Sequence, residues 1–212
     1  MNGQKFKYVF PCIRARMGDW WYYVTVIPIA DVASIVKKVD EIHEREELKN
    51  WIQRELREDR IEQIAEYLKN KQRFFNSVVA GIYGGEPDWY PLSVSENLAM
   101  PSIKLNSLSR HSLGLLALTG TEEIFAIDGQ HRVEGMKSAI HYGTDLADDL
   151  QSVIFVAHKT SEKGRIRTRR LFFTLNKYAK PVSAGELVAL SEDDVFAIAT
   201  RRIIDESGLL NS

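Results

Sequence analysis

The chain has 212 residues, 44% hydrophobic and 27% charged, with 28 Lys and Arg against 29 Asp and Glu. That balance describes an ordinary globular chain, and it excludes both extended disorder and a protein that coats nucleic acid by bulk positive charge. The single Cys12 cannot form an internal disulfide, and neither a signal-peptide pattern nor an apolar run of about 18 residues occurs, so a cytoplasmic protein with no membrane partner is expected.

In chain order, the aromatic and β-branched run WWYYVTVIPIADV predicts a strand that stops at Pro28, where proline withholds a ladder donor, and Asp31 to Val39 predicts a short helix. From Glu46 to Lys71 apolar residues recur at spacings of three and four, as in Leu48, Trp51, Ile52 and Leu56, then Ile61, Ile64, Ala65 and Leu68. This is the period of one or two amphipathic helices. SVVAGIYGG predicts a strand ended by two glycines, and the Pro, Gly, Ser and Asn content up to about Leu108 predicts a long excursion. LGLLALTGTEEIFAID holds two apolar runs around Thr, Gly and Glu, a hairpin signal. A helix follows, with Val133, Met136 and Ile140 on one face and Gly143 at its end. SVIFVAH predicts a strand, and residues 165–176 a helix with Leu171, Phe172 and Leu175 inward. VSAGELVAL predicts a further helix opened by a Ser183 and Glu186 capping box, and DDVFAIATRRIIDES a last one. The expected fold is α/β of the α+β kind: a small mixed sheet flanked by helices over 1–180, with a helical extension over 181–212.

The second apolar run of the expected hairpin leads into Asp128, Gly129, Gln130, His131 and Arg132, at a strand end and the start of a helix. A loop that only turns the chain would use Asn, Gly and Ser. Amides at a helix start lack internal partners and, with the macrodipole, favour an anion. Gly129 lets backbone approach that anion, Arg132 offers a fork of donors for phosphate or carboxylate, and His131 can donate to an oxyanion or move a proton near neutral pH. Asp128 is repelled by phosphates unless it binds Mg²⁺ or a ribose hydroxyl. Asp128 and His131 are therefore the candidate catalytic groups, and Asp128 to Arg132 the candidate nucleotide site. The competing reading has Asp128 capping the helix and pairing with Arg132, with His131 a satisfied surface residue. There is no P-loop and no pair of Cys ligands, and the five histidines lack the spacing of a helical metal pair, so zinc and haem are not expected.

KGRIRTRRLFFTLNKYAK, residues 163–180, carries Lys163, Arg165, Arg167, Arg169, Arg170, Lys177 and Lys180 with no acid among them. Such a run is either a local patch for double-stranded DNA or a solvated charged face. Asn176 either caps that helix or reaches a nucleotide, and Arg60 either supplies a further phosphate ligand or is an exposed helix residue. Trp20, Trp21 and Phe172 are read as core residues, not as stacking platforms for bases.

IDGQHRVEGMKSAI resembles the signature of the DGQHR-domain proteins, among them the DndB proteins of DNA phosphorothioation loci and the DpdB proteins of deazapurine DNA-modification loci. YVFPCIRARMGDWWYYVTVIPIADV, REDRIEQIAEYLKN and RRLFFTLNKYAKPVS are similar to further segments in the family's order, so the resemblance covers residues 8 to about 194. At greater distance the succession of proline-ended strand, helix, strand and Gly-x-x-Arg loop resembles the ParB and sulfiredoxin superfamily. By position, that resemblance implies phosphates held at Gly129 and Arg132, with His131 beside them. Sulfiredoxin chemistry needs a cysteine where this chain has Gln130, so sulfinic-acid reduction is not expected, and no helix-turn-helix of the ParB kind follows. Family members are usually longer, so a short form or a truncated chain is expected.

The resemblance implies a component of a bacterial DNA-modification system that binds ATP with Mg²⁺ at the DGQHR loop, with hydrolysis left open. It further implies contact with double-stranded DNA through Arg165, Arg167, Arg169, Arg170, Lys177 and Lys180, and work with other proteins of the locus; a homo-oligomer is left open. Two alternatives stand beside it. One is a DNA-binding transcriptional regulator of its own locus without catalysis. The other is a ParB-like phosphotransferase, which needs a general base such as Asp128, Glu134 or His131.

Overall fold

A computed structural model describes residues 5–38, 58–92, 111–157, 161–177 and 195–207. Strand β1 (Tyr8–Met17) turns through Gly18 and Asp19 into β2 (Trp20–Pro28), with Met17 opposite Trp20. Gly18 holds φ 55, the left-handed backbone that tight hairpin loops require and that glycine adopts without a Cβ clash. β2 runs into α1 (Ile29–Ile35) and the two-residue β3 (Val36–Lys37). After α2 (Glu58–Tyr67) come β4 (Val78–Tyr83), β5 (Asp88–Pro91), β6 (Leu113–Leu118) and β7 (Glu123–Asp128). Then follow α3 (Gln130–His141), β8 (Leu150–Ala157), α4 (Glu162–Lys177) and α5 (Val195–Ser207). The chain divides into two compact units, Met1–Phe173 and Thr174–Ser212, and the sheet lies in the first.

The eight strands form one mixed sheet in the order β3-β7-β4-β8-β2-β1-β6-β5, which bears out the mixed α and β class. β3 with β7 and β4 with β8 run parallel; the other neighbours are antiparallel. The hairpin expected from LGLLALTGTEEIFAID does not form. β6 lies between β1 and β5, and β7 between β3 and β4. The link Thr119–Glu122 is closed by a side chain: the Glu122 carboxylate accepts from the Thr119 amide at 3.1 Å, the Thr119 hydroxyl at 2.9 Å, the Gly120 amide at 2.8 Å and the Glu86 amide at 3.2 Å. This ties up the turn and sends the two strands apart. So short a link reaches at most about 18 Å, whereas the strand spacings between β6 and β7 in a flat sheet would total about 24 Å. The sheet therefore curls.

Val32 and Ile35 of α1, Ala65 of α2, and Val133, Met136 and Ala139 of α3 are buried with Ala80, Ile124, Ala126, Val153 and Phe155 of the sheet. Each large side chain buried there stabilises the fold by about 1.5–3 kcal/mol. α2 approaches α3 at Gly135, where a Cβ would overlap Ile64 Cγ2 and lie 2.7 Å from Ile64 Cβ. Ile140, expected inward, is 37% exposed, and Ala139 takes the buried place. α3 ends as expected at Gly143, φ 78: the Gly143 amide donates to the Ile140 carbonyl and the Thr144 amide to that of Ala139, a Schellman closure.

α1 stops at Ile35, before the expected Val39, because Val36 and Lys37 pair with Ile124 and Phe125. Trp21, expected in the core, is 46% exposed. The expected helix before Glu58, most of the excursion before Leu108, and the helix at Ser183 and Glu186 lie outside the described residues.

Candidate functional site

The polar cluster sits where β7 passes into α3. The N-cap falls on Gly129, with φ 91 and ψ 19 and no side-chain cap, so Asp128 does not cap the helix as one sequence reading supposed. The first helical hydrogen bond runs from the Val133 amide to the Gly129 carbonyl at 3.0 Å. The amides of Gln130, His131 and Arg132 precede that bond and project from the helix start, the arrangement that favours an anion. Gly129 also leaves room for a guanidinium: a Cβ there would lie 2.9 Å from Arg132 Nη2 and 3.1 Å from Cζ.

Arg132 is folded back into the protein. Its Nη2 donates to Asp128 Oδ2 at 2.8 Å, and its Nη1 to the Asn76 carbonyl at 2.6 Å, to Asn76 Oδ1 and to the Ser77 carbonyl at 3.3 Å. The Arg132 side chain is 13% exposed and that of Asp128 38%. Burial pulls the Arg132 pKa down, the Asp128 carboxylate opposes the fall, and the charge of Arg60 adds to it. A guanidinium stays protonated at any working pH, so the lasting consequence is positional: Arg60, from the first turn of α2, lies within electrostatic reach of Arg132.

Sequence reasoning did not find Asn76, Ser77, Gln151 or Ser152. The buried Gln151 donates through Nε2 to the Asn76 and Ser152 carbonyls, both at 2.9 Å, and the Ser77 and Ser152 hydroxyls are 2.9 Å apart. These polar residues meet only through the β4–β8 pairing, and no local spacing signals them.

Gln130 Nε2 donates to the Ala126 carbonyl at 3.2 Å, and His131 is partly buried on the first turn of α3. Glu134 is paired with Lys38 at 3.3 Å and Lys137 at 2.9 Å. Among the described residues no group of three or more His, Cys, Asp or Glu could hold a metal. A Mg²⁺ ion there would rest on Asp128 and on ligand phosphates, a sparing use of protein carboxylates that Mg²⁺ tolerates. Cys12 is buried on β1, four places along the sheet from β7, and burial raises its pKa against hydrogen bonds from Thr25 and Leu116. Nothing in that placement brings a thiol to Gln130.

The basic run forms α4. Arg167 lies over the Trp20 ring with its Cζ 3.8 Å from the centroid, and it donates from Nη1 to the Asp19 carbonyl and from Nη2 to the Ala157 carbonyl, both at 3.4 Å. The helix is thereby tied to the β1–β2 turn. On that hairpin the Arg16 guanidinium lies 5.7 Å from the Trp21 ring, and that of Arg14 lies 5.1 Å from Trp21 and 5.0 Å from Trp89. Lys163 and Arg170 are exposed. The side chains of Arg165, Arg169, Asn176 and Lys177, and all of Lys180, lie outside the described residues.

Sheet and junction together define an α+β protein with a cationic strand–loop–helix corner. The chain belongs to the DndB family of DNA-sulfur modification-associated proteins, whose model matches residues 10–212. The resemblance carried by IDGQHRVEGMKSAI is thereby borne out, and the chain is a component of a DNA sulfur-modification system. No curated protein and no solved structure matches it. Among the described residues, no helix is long and apolar enough to cross a membrane.

Proposed function

We propose that the chain contacts duplex DNA, holding backbone phosphates along the β1–β2 hairpin and the first half of α4. One observation carries this reading: the Arg167 guanidinium donates to the carbonyl of Asp19, which joins two basic segments far apart in the chain. The hairpin carries Arg14 and Arg16, the adjoining first half of α4 carries Lys163, Arg167 and Arg170, and phosphate contacts of this type supply most sequence-independent affinity. In this role the protein regulates its locus by occupying DNA, and it needs no general base. Glu134, already paired with two lysines, is poorly placed to be one. Fluorescence anisotropy on a labelled duplex tests the reading. Lys163→Gln and Arg170→Gln are each expected to lower the salt slope by about one; slopes unchanged in both would remove the surface from DNA binding.

A second reading keeps ATP with Mg²⁺ at the α3 start. The uncapped, left-handed Gly129 favours it, as do the charges of Arg60 and Arg132 near that start. Asp128 would hold the metal, the amides of Gln130 and His131 the phosphates, and Arg132, clasped to Asn76 and Ser77, would position the loop. The bound Mg²⁺ would supply charge neutralisation for the phosphates. Hydrolysis, with Asp128 or His131 moving a proton, belongs to this reading alone. Titration calorimetry with ATP and Mg²⁺ separates the two, since the DNA reading requires no heat from nucleotide.

A further inference from the structure

Core side chains of α1, α2 and α3 meet one face of the sheet, into which Phe10, Cys12, Ile27, Leu116 and Val153 point. The alternate residues of the same four strands take the opposite face. There Leu113, Ile13, Val24 and Ile154 stand side by side across β6, β1, β2 and β8. Two further rows follow at two-residue steps, through Val26 and out to Val9 and Leu150. These three rows carry no charged side chain and one polar one, Ser152, whose hydroxyl already lies 2.9 Å from that of Ser77. Val9, Ile13, Val26, Leu113 and Leu150 are nevertheless 39% to 62% exposed, and Met17, on the same face at the hairpin tip, is 72% exposed. An antiparallel sheet with one face in water alternates apolar with polar residues, and β1 and β2 do not. Contiguous exposed apolar surface of this extent marks an interaction site.

We infer that this face seats a second copy of the chain in a sheet-on-sheet dimer. A charged partner finds nothing to pair with there: Arg14 and Arg16 alternate to the other face of β1, so the rows offer no contact to DNA phosphates. Two copies of one uncharged apolar face do match, because a two-fold axis sets the face on itself and the side chains interdigitate with no charge left unpaired. Val9 to Met17 spans about 27 Å and four strands about 19 Å, so each copy contributes about 500 Å² at most and the pair about 1,000 Å². Specific interfaces begin near about 1,000 Å², and those at the low end are transient. The dimer is therefore weak, with a dissociation constant of about 10–100 µM. This inference is independent of the DNA-contact reading, whose cations lie outside these rows.

The test is sedimentation velocity of the full chain from about 1 to 200 µM, without DNA. The wild type is expected to pass from monomer to dimer over that range, and added salt is expected not to weaken the dimer, since apolar burial is not screened. Ile13→Lys and Val26→Lys place a charge at positions already open to water in the monomer, so each should keep the fold and raise the dissociation constant at least about tenfold. Tyr142→Lys, equally exposed but at the end of α3 on the helical side of the sheet, should dimerise as the wild type does. Should either lysine variant fold poorly, Val26→Cys gives a second reading: its thiol should react with a maleimide freely in dilute solution and several-fold more slowly in concentrated solution, while the buried Cys12 stays silent. A wild type that is monomeric throughout overturns the inference, and a Val26→Cys thiol unreactive in that monomer would assign the cover to the chain itself. A dimer that dissolves in salt, or one that both lysine variants leave intact, overturns it as well.

Discussion

Arg132 and Asp128, one helical turn apart, are joined at 2.8 Å across the corner between β7 and α3, and the same guanidinium reaches the Asn76 and Ser77 carbonyls on the approach to β4. Three segments of the chain therefore meet on one side chain. A planar fork suits that task because it offers donors in fixed directions, which the single ammonium of lysine cannot reproduce. Arg132→Lys should keep the charge and lose the clasp, at a cost of about 1–2 kcal/mol, and Arg132→Ala should cost about 2–3 kcal/mol, since it also leaves Asp128 unpaired. Urea denaturation of the two variants checks this. Equal stability of Arg132→Lys and wild type would mean that Arg132 is available to a ligand instead.

Gly135→Ala should destabilise the protein even though alanine is the better helix former. The added methyl meets the branched Cβ of Ile64, which cannot rotate away. Overpacking of about 1–3 kcal/mol outweighs a propensity gain of about 1 kcal/mol. Because α2 carries Arg60, the same variant should also weaken any anion held at the start of α3. Thermal melting, followed by binding of inorganic phosphate, reads the two effects separately.

Glu122 should make the fold sensitive to acid. Burial raises the pKa of its carboxyl, but its own backbone amide, the amides of Thr119 and Gly120 and the Thr119 hydroxyl together outweigh this and hold it below the ordinary 4.5. A group whose pKa is depressed on folding contributes stability that is present above its unfolded pKa and lost as pH falls through the native value. Wild type should therefore lose stability from about pH 4.5 downward, and Glu122→Gln should be less stable at neutral pH with a flatter acid limb. Chemical denaturation at pH 7 and at successive acid values measures both; parallel curves for the two proteins would contradict the role given to Glu122.

Sequence patterning reaches the elements better than their partners. The strand ending at Pro28, the strand of SVVAGIYGG, the helix closed by Gly143 and the final helix all answer to local periods and glycine chemistry, and each appears among the described residues. The β6–β7 hairpin fails because pairing is decided across the whole sheet, and a side chain, Glu122, closes the short link that should have been its turn. At the corner, the spacing of Asp128 and Arg132 shows that they can pair; Asn76 and Gln151 are invisible until β4 and β8 align. Arg167 illustrates the same limit. Its basic neighbours announce a charged helix, but its seat on Trp20 depends on a hairpin that lies 148 residues away at Asp19.

Arg167→Gln should detach α4 from the hairpin turn. Loss of a cation–π contact at a partly exposed site costs about 0.5–1 kcal/mol, so global stability should fall only a little. Hydrogen exchange along residues 161–173 should rise by more than that modest change implies. Unaltered protection there would show that other contacts hold the helix.

The salt dependence of duplex affinity bears most directly on the proposed role in DNA sulfur modification. Anisotropy titrations between low and moderate salt should give a linear fall of log affinity with log salt, and an Arg16→Gln, Lys163→Gln double variant should reduce the slope by about two. A wild-type affinity that ignores salt, or a double variant with the parental slope, would contradict a phosphate-contacting surface built from the hairpin and α4.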